Sequence, residues 1–165
     1  MTTKYEELPD TICALLSADA WFAASGLTAY LDAAHFFPAA GASVDTIAEQ
    51  ARAAYDVLCT KGMIVSVESW AAGQRAQSGV TGFLVSIPRV IVMEVPNVNR
   101  STAGFNLRPA FVCRKILSAL LGQPTASPSQ QRFQLPDAGS VFEPYVQAGA
   151  RYEYPIRLQI TTNIN

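Results

Sequence analysis

The sequence contains few of the side chains on which most catalytic sites depend. It has one histidine, His35, and no pattern of metal-ligand partners surrounds it. A Ser-His-Asp triad would have to use that histidine, and no Gly-x-Ser-x-Gly elbow supports one. Neither the Walker pattern nor the dinucleotide fingerprint of glycine-rich phosphate loops is present. We therefore predict that the chain is not an enzyme and has no catalytic residue, cofactor or metal.

Cysteine is also scarce, and Cys13, Cys59 and Cys113 stand too far apart to form a Cys-x-x-Cys pair. An odd number of unclustered cysteines is typical of a reducing compartment and of buried thiols. The start of the chain lacks the apolar run of a signal peptide. No apolar stretch reaches the roughly 20 residues that are needed to cross a bilayer. We expect a soluble protein made in the cytosol, with no membrane partner.

Charged residues make up 15% of the chain, and the net charge of −1 argues against a protein that binds nucleic acid through a general positive field. The charge is unevenly placed. Residues 1–88 contain 4 Lys and Arg against 9 Asp and Glu, and residues 89–165 contain 8 against 4, so the two parts carry −5 and +4. Chance and solvated faces explain such a split. A subunit that meets its neighbours with opposite potentials explains it too.

Half of the residues are apolar, and the length fits one folded domain over residues 1–165. Periodicity predicts helices and strands in the order helix, helix, three strands, helix, strand. Their predicted positions are a helix from Pro9, a helix Asp45–Lys61, strands Met63–Trp70, Val80–Ile87 and Val90–Val95, a helix Leu107–Leu121 and a strand Tyr152–Thr162. This order predicts an α+β fold, with a mixed or mostly antiparallel sheet of four to five strands and two to three helices.

The remaining segments are harder to assign. Ser17–Gly41 contains many alanines and several aromatics, and it fits either a helix or an irregular strand pair with a loop. The small, polar stretch Ala71–Gly79 predicts a loop. Residues 123–139 are rich in Pro, Ser and Gln and predict a mobile loop. Pro155 cannot donate to a strand ladder, so it predicts an edge or bulge position in the last strand.

Glu94 is an acid at the end of the otherwise apolar strand Val90–Val95, where a buried carboxylate must be paired or protonated. A catalytic role would need a second ionisable group beside it, and the sequence identifies none. In the structural interpretation, Glu94 accepts hydrogen bonds from the turn that follows or pairs with Arg100. We name Glu94, Asn97, Asn99 and Arg100 as turn-stabilising residues.

The helix Leu107–Leu121 has one apolar arc and one basic arc. The apolar arc contains Val112, Cys113, Ile116, Leu117, Leu120 and Leu121. Phe111 falls among the cations Arg108, Arg114 and Lys115, and an aromatic between cations is common at interfaces. We predict that these four residues form a subunit or partner interface. The alternative is that Phe111 packs under the 123–139 loop. Nucleic-acid binding ranks below protein contact.

Residues 82–122 resemble a pattern in the tail terminator (tail completion) and minor tail proteins of long-tailed bacteriophages. There, a central strand ends in an acid, a Pro and Asn turn with Asn-Arg follows, and a link with glycine leads into a helix. The corresponding residues are Glu94, Pro96, Asn97, Asn99, Arg100, Gly104 and the helix from Leu107. The helix ending in Lys61-Gly62, the strand after it and the closing strand also look similar. One departure is Val95, where the family has Asn.

The resemblance implies a structural virion protein located in the tail or neck and assembled in the host cytoplasm. Such proteins form a ring, typically six-fold, that caps the head-proximal end of the tail tube. The implied partners are other copies of the chain, the tail tube protein and neck or connector proteins. The chain would bind no specific nucleic acid sequence, although DNA would pass through the ring.

Other functions stay open from the sequence alone. The chain fits a head-to-tail connector adaptor, or a minor tail or tube protein, which differ from a terminator in their partners. A small enzyme would use Glu94 with Arg100 or Arg108, and would need a second ionisable group converging on Glu94. A ligand-binding module would line a deep pocket with the aromatics between Trp21 and Phe37.

Overall fold

The computed structural model describes residues 8–27, 29–31, 44–68, 72–78, 81–96, 105–125, 131–137 and 139–164. These residues contain four helices and eight strands. In chain order they are α1 (Leu8–Ala18), α2 (Ala20–Ser25), β1 (Ala29–Leu31), α3 (Val44–Lys61), β2 (Met63–Val67), β3 (Ala72–Ser78), β4 (Thr81–Ile87), β5 (Arg89–Glu94), α4 (Pro109–Leu120), β6 (Val146–Ala148), β7 (Arg151–Arg157) and β8 (Ile160–Ile164).

The strands form two sheets. The main sheet has the order β1-β2-β5-β7-β6, and the small sheet has the order β3-β4-β8. Strand β1 runs parallel to β2, whereas every other pair in both sheets is antiparallel. This confirms the predicted α+β fold with a mixed five-stranded sheet. The described residues contain four helices, one more than the upper number predicted, because α1 and α2 are separate.

Helices cover both faces of the main sheet. On one face, α1 and α4 pack on alternate residues of the central strands, among them Met63, Val65, Val67, Val90, Val92 and Ile156, all at most 1% exposed. Alternation places Ile64 on the opposite face. Ile64 and Leu58 of α3 are also buried, outside that cluster, so α3 covers the second face. Because helices cover both faces of the main sheet, the run Val90–Met93 of β5 can be apolar on both sides.

The segment Ser17–Gly41 begins with a short helix and a strand. Asp19 ends α1 and starts α2, because its carboxylate accepts hydrogen bonds from the backbone N–H groups of Trp21 (2.9 Å) and Phe22 (3.2 Å). Gly26, at φ 71°, ends α2 in the left-handed conformation that glycine adopts without strain. Strand β1 follows, and residues 32–43 lie outside the described residues.

The sequence predictions for two segments of secondary structure are wrong. The predicted loop Ala71–Gly79 contains β3, paired with β4 from Ala72↔Ile87 to Ser78↔Thr81. Because β3 lies at the edge of the small sheet, its backbone supplies the pairing and an apolar pattern is not required. The predicted single strand Tyr152–Thr162 is two strands, β7 and β8, in different sheets.

The chain crosses from one sheet to the other at two points that lie next to each other. Strand β4 of the small sheet passes into β5 of the main sheet at Pro88, and β7 passes into β8 at Leu158. The Leu158 N–H donates to the Pro88 carbonyl oxygen at 3.1 Å, which joins the two crossing points. The apolar alternation from β7 continues into β8. The residue pattern therefore does not predict that the two strands belong to different sheets.

Pro155 lies inside β7, which pairs with β5 on one side and β6 on the other. Strand β6 reaches only to Glu153, so Pro155 lies beyond its end. There, the Pro155 carbonyl oxygen accepts a hydrogen bond of 3.1 Å from the Glu143 N–H. The absent proline N–H therefore interrupts no strand ladder, although β7 is not an edge strand.

Residues 123–139 are attached to the core at their described ends. Phe133 is 1% exposed, and its carbonyl oxygen accepts a hydrogen bond of 2.9 Å from the Gly122 N–H. Gln134 forms a bridge with Gln159. The mobility predicted for this segment stays a prediction, but Phe133 is part of the main core cluster.

Candidate functional site

The helix α4 presents the basic residues that the sequence proposed as an interface. Its buried side consists of Val112, Cys113, Ile116 and Leu120. Arg108 is the N-cap residue, and its exposed side chain forms no capping hydrogen bond. Its backbone N–H donates a hydrogen bond to Asn106 Oδ1 at 3.1 Å. Arg114 is also exposed. These two arginines are therefore available to meet another molecule.

Phe111 and Lys115 contact a neighbouring helix within the same chain. The Phe111 ring lies 5.9 Å from the ring of Trp21 in α2, and Phe105 lies 6.0 Å from the same ring. The Lys115 Nζ lies 5.7 Å from the centroid of Trp21 and 5.6 Å from that of Phe111, which is cation–π distance. Below, Trp21, Phe105, Phe111 and Lys115 are called the Trp21 cluster.

The Trp21 cluster changes how the basic arc is interpreted. Phe111 and Lys115 are half-buried against Trp21, so part of each surface is already used inside the chain. The sequence suggested that Phe111 is either an interface residue or a residue packed under the 123–139 loop. Neither interpretation included its contact with Trp21, because the sequence did not assign α2. The roles of Arg108, Phe111, Arg114 and Lys115 as an interface stay a prediction. In α2, Phe22 is 2% exposed, and the Trp21 ring packs edge-on against it with the ring centroids 5.0 Å apart.

Glu94 is buried, at 8% exposure, at the end of β5. The register places Glu94 opposite Met63 on one side and Tyr152 on the other, two residues along from the pair Val92↔Tyr154. The Glu94 carboxylate lies close enough to the Tyr154 hydroxyl to raise its pKa both by its charge and by hydrogen bonding. A partner on the closing strand was not foreseen, because strand register cannot be read from one sequence.

Burial raises the pKa of Tyr154 to about 12, and the charge of Glu94 and its hydrogen bond to Tyr154 add to this effect. General acid–base catalysis needs a pKa near the working pH. The pKa of Tyr154 is shifted away from neutral pH, so the pair of Glu94 and Tyr154 does not favour acid–base catalysis. Asn97, Asn99 and Arg100 lie outside the described residues, and their role in the turn stays a prediction.

An open cavity of about 290 Å³ lies beside Glu94 and is lined by Leu107, Arg108 and Pro109 at the start of α4. Among the described residues, its walls include a carboxylate, a guanidinium and apolar carbon. Within the described ranges, no group of three or more His, Cys, Asp or Glu side chains could hold a metal ion. No helix among them is long and apolar enough to cross a membrane.

Exposed apolar residues, which the sequence did not reveal, lie along the β6 edge of the main sheet. Phe142, Tyr145 and Val146 are 44%, 62% and 51% exposed, and we call them the β6 patch. The Tyr145 ring lies 5.8 Å from that of Tyr152 and 6.0 Å from that of Tyr154. The sequence signal that could have indicated these residues is the stretch from Phe142 to Ala150, which contains a single charge, Glu143.

Ion pairs fix the segment that leads into this patch. Arg89 pairs with Glu68 at 2.8 Å and with Glu143 at 2.9 Å, and Arg157 lies 3.6 Å from Glu143. These side chains are partly buried, and a shared network of charges stabilises more than isolated surface pairs do. The charge within the segment itself, Glu143, is therefore directed back into the chain.

Comparison with known proteins supports the fold. No family model and no curated protein matches the chain. The fold is similar to that of a chain in a solved structure titled "Virion of native gene transfer agent (GTA) particle", with a TM-score of 0.52 and 15% sequence identity. The match covers 95% of this chain and 95% of that chain. The two proteins therefore share a single-domain α+β fold over almost their entire lengths.

Proposed function

We propose that the chain is a structural virion protein of a phage-like particle. The observation that carries this proposal is the fold match over 95% of both chains to a component of a gene transfer agent virion. The resemblance of residues 82–122 to tail proteins of long-tailed phages supports the same class independently of the fold.

Within that class, we propose the role of tail terminator. Copies of the chain form a ring, with six-fold symmetry, at the head-proximal end of the tail tube. One face of the ring makes the stacking contact that tube rings make with each other, and the other face meets the neck. Capping requires complementary surfaces and no catalysis, and the alkaline pKa of Tyr154 is consistent with a structural carboxylate at Glu94.

The basic side of α4 is the surface that we assign to partner contact. Arg108 and Arg114 are exposed there, and Phe111 and Lys115 are held beside them by Trp21. Contact between exposed arginines and an acidic partner surface would orient the ring on its neighbour more than it would add affinity.

Deletion of the gene in cells that produce the particles tests the role. A terminator limits tube growth, so electron microscopy should show unjoined heads and tails longer than normal. Heads joined to tails of normal length would contradict the terminator role. Heads without any attached tube, beside free tubes of normal length, would favour a connector adaptor.

A second test uses the purified chain and purified tail tubes. The chain should cap one tube end and stop further polymerisation. Arg108→Glu combined with Arg114→Glu should weaken capping, whereas Arg52→Glu, at an exposed arginine in α3, should not. Tubes that stay uncapped and continue to grow with the unmodified chain would refute the proposal.

A further inference from the structure

The Trp21 cluster forms an aromatic surface between α2 and α4 that is only half-buried. The Trp21 ring packs edge-on against Phe22, and its centroid lies 6.0 Å from that of Phe105 and 5.9 Å from that of Phe111. Rings that hold one another in place lose little further freedom when another molecule binds them. Apolar side chains that cluster together and keep exposed surface mark interaction sites more often than scattered ones do.

Two cations of α4 lie beside these rings. The Lys115 Nζ lies over the rings of both Trp21 and Phe111, and Arg114 is exposed three residues after Phe111, a spacing that makes the two neighbours on the helix surface. The ion pairs that the described residues form all lie elsewhere, on β5, β7 and the segment before β6. Arg108 shares a cavity with Glu94, whereas Arg114 and Lys115 are available to carboxylates of another molecule.

Cations beside half-exposed rings fit a nucleic acid or a protein segment that carries carboxylates, and the neighbouring charges favour the protein. A nucleic acid presents a row of phosphates and is bound by many cations along one surface. Here two cations adjoin the rings, and the Asp19 carboxylate lies near them, because it accepts a hydrogen bond from the Trp21 N–H. A fixed negative charge at that position repels a row of phosphates, whereas one or two carboxylates can bind on the α4 side alone.

A second copy of this chain is a poor source of those carboxylates, because most of its described acids already have partners. The described carboxylates that are engaged inside the chain are Asp19, Glu68, Glu94, Asp137, Glu143 and Glu153. A new contact with any of them would first break its present bond, and that loss offsets the gain. The charge complementarity therefore favours a different protein.

We infer that the Trp21 cluster and Arg114 bind a segment of the tail tube protein in which carboxylates flank an apolar side chain. The apolar side chain packs on the rings of Trp21 and Phe111, and the carboxylates pair with Arg114 and Lys115. This inference rests on the proposed terminator role. It adds the chemistry of the partner and two contact residues, Trp21 and Phe105, that lie outside the basic side of α4. Trp and Arg residues at the centre of an interface commonly dominate its binding energy.

Photo-cross-linking tests this contact. The amino acid p-benzoylphenylalanine replaces Phe111, and the purified chain is irradiated after binding to purified tail tubes. Mass spectrometry of the adduct should identify a tube-protein peptide with Asp or Glu within about four residues of the modified position, the separation of neighbours on a helix surface. The same replacement at Tyr55, an aromatic residue of α3 that is 57% exposed, is the control and should not give this adduct.

The outcomes separate this inference from the proposed function. Tubes that are capped by the chain but give no adduct at Phe111 would overturn the inference and leave the terminator role standing. An adduct between two copies of the chain, a nuclease-sensitive adduct, or a tube peptide without acidic residues would overturn it too. A chain that neither binds nor caps the tubes would refute the proposed function itself.

A matched pair of arginine variants supplies a second measurement and leaves the rings unchanged. Arg114→Met removes the charge and keeps most of the apolar length of the side chain. At low salt it should raise the concentration needed to cap half of the tubes about fivefold, as expected for the loss of one exposed ion pair. Arg52→Met, in α3, should leave that concentration unchanged. Equal capping by the two variants would contradict the inference.

Salt dependence separates a contact role of Arg114 from a role in folding. Salt at about 0.5 M screens exposed ion pairs, so the unmodified chain and Arg114→Met should then cap tubes at similar concentrations. A difference that persists unchanged at high salt would show that Arg114 acts on the fold and would overturn its contact with carboxylates.

Discussion

The ring of Phe111 in α4 lies 5.9 Å from the ring of Trp21 in α2, and Lys115 lies over both rings. This contact joins the helix that carries the proposed interface to the first half of the chain. A residue that the sequence places on an outward basic face therefore also contributes to stability. Assembly defects of Phe111 variants must be separated from folding defects.

Phe111→Ala should lower the free energy of unfolding. Truncating a fully buried phenylalanine costs about 3–5 kcal/mol, and half-burial reduces this to about 1–2 kcal/mol. Urea denaturation measures the change. Arg114→Ala, on the exposed side of the same helix, should leave stability within about 0.5 kcal/mol. Identical midpoints for the two variants would show that the contact with Trp21 contributes little.

Stability should fall at alkaline pH. Burial raises the pKa of Cys113 to about 11 and that of Cys13 to about 12, from 9.0 for a free thiol. Above pH 9, the unfolded chain loses these protons while the folded chain keeps them, so the unfolded state binds fewer protons and stability decreases with pH. The contribution is complete below pH 9 and is lost as pH rises through about 12.

Urea unfolding followed across this range measures the slope. Cys113→Ala combined with Cys13→Ala should flatten it, even if the cavities that these changes create lower stability at every pH. A matched Val112→Ala variant, which creates a cavity but removes no thiol, should keep the original slope. An unchanged slope in the double variant would show that burial of these thiols is not the cause.

Glu94→Gln should lower the pKa of Tyr154 while leaving it above its ordinary value of 10.0. The carboxylate charge and its hydrogen bond both raise this pKa, but burial is the largest cause and remains after the substitution. Tyrosinate absorbance during an alkaline titration reports the change. The difference spectrum against Tyr154→Phe assigns the signal, because five other tyrosines also titrate.

The same substitution should lower stability by about 1–3 kcal/mol, the usual cost of disturbing a buried hydrogen bond to a charged group. If the titration of Tyr154 were identical in the unmodified chain and in Glu94→Gln, the two side chains would not be in contact in solution.

The three thiols should react at different rates. Cys59 is exposed, Cys113 is buried and Cys13 is partly buried, which corrects the expectation of three buried thiols. The thiolate is the reactive form, and the raised pKa values of Cys13 and Cys113 keep them protonated. A thiol reagent should modify one equivalent quickly, and Cys59→Ser should remove that phase. Three equal rates would contradict the burial described.

The strongly patterned elements were predictable from the sequence. The helix Asp45–Lys61, the strands before and after Pro88 and the helix Leu107–Leu121 all occur within a few residues of their predicted bounds. Each combines a clear apolar period with a glycine or proline at its end. Strand β3 was missed because an edge strand needs little apolar pattern. The number of sheets was missed because strand periodicity carries no information about partners.

The candidate site was only partly predictable. The sequence identified Glu94 as a buried acid and α4 as a helix with a basic side. It could not identify Tyr154 as the partner of Glu94, or Trp21 as the support of Phe111, because each pair joins segments far apart in the chain. The β6 patch was missed for a related reason. Apolar residues in a short strand are expected to be buried until the sheet order shows that the strand is at an edge.

The sequence by itself determined the α+β class, the main helices and strands, and the unequal distribution of charge, because local periodicity and composition require no knowledge of distant contacts. The tertiary structure decided where these features lie. Strand order placed β1 and β2, from the first part of the chain, at one end of the main sheet and β5, β7 and β6, from the second part, at the other. Register brought Tyr154 to Glu94, and helix packing brought Trp21 to Phe111. Such pairings depend on long-range packing, which one chain's residue pattern does not specify.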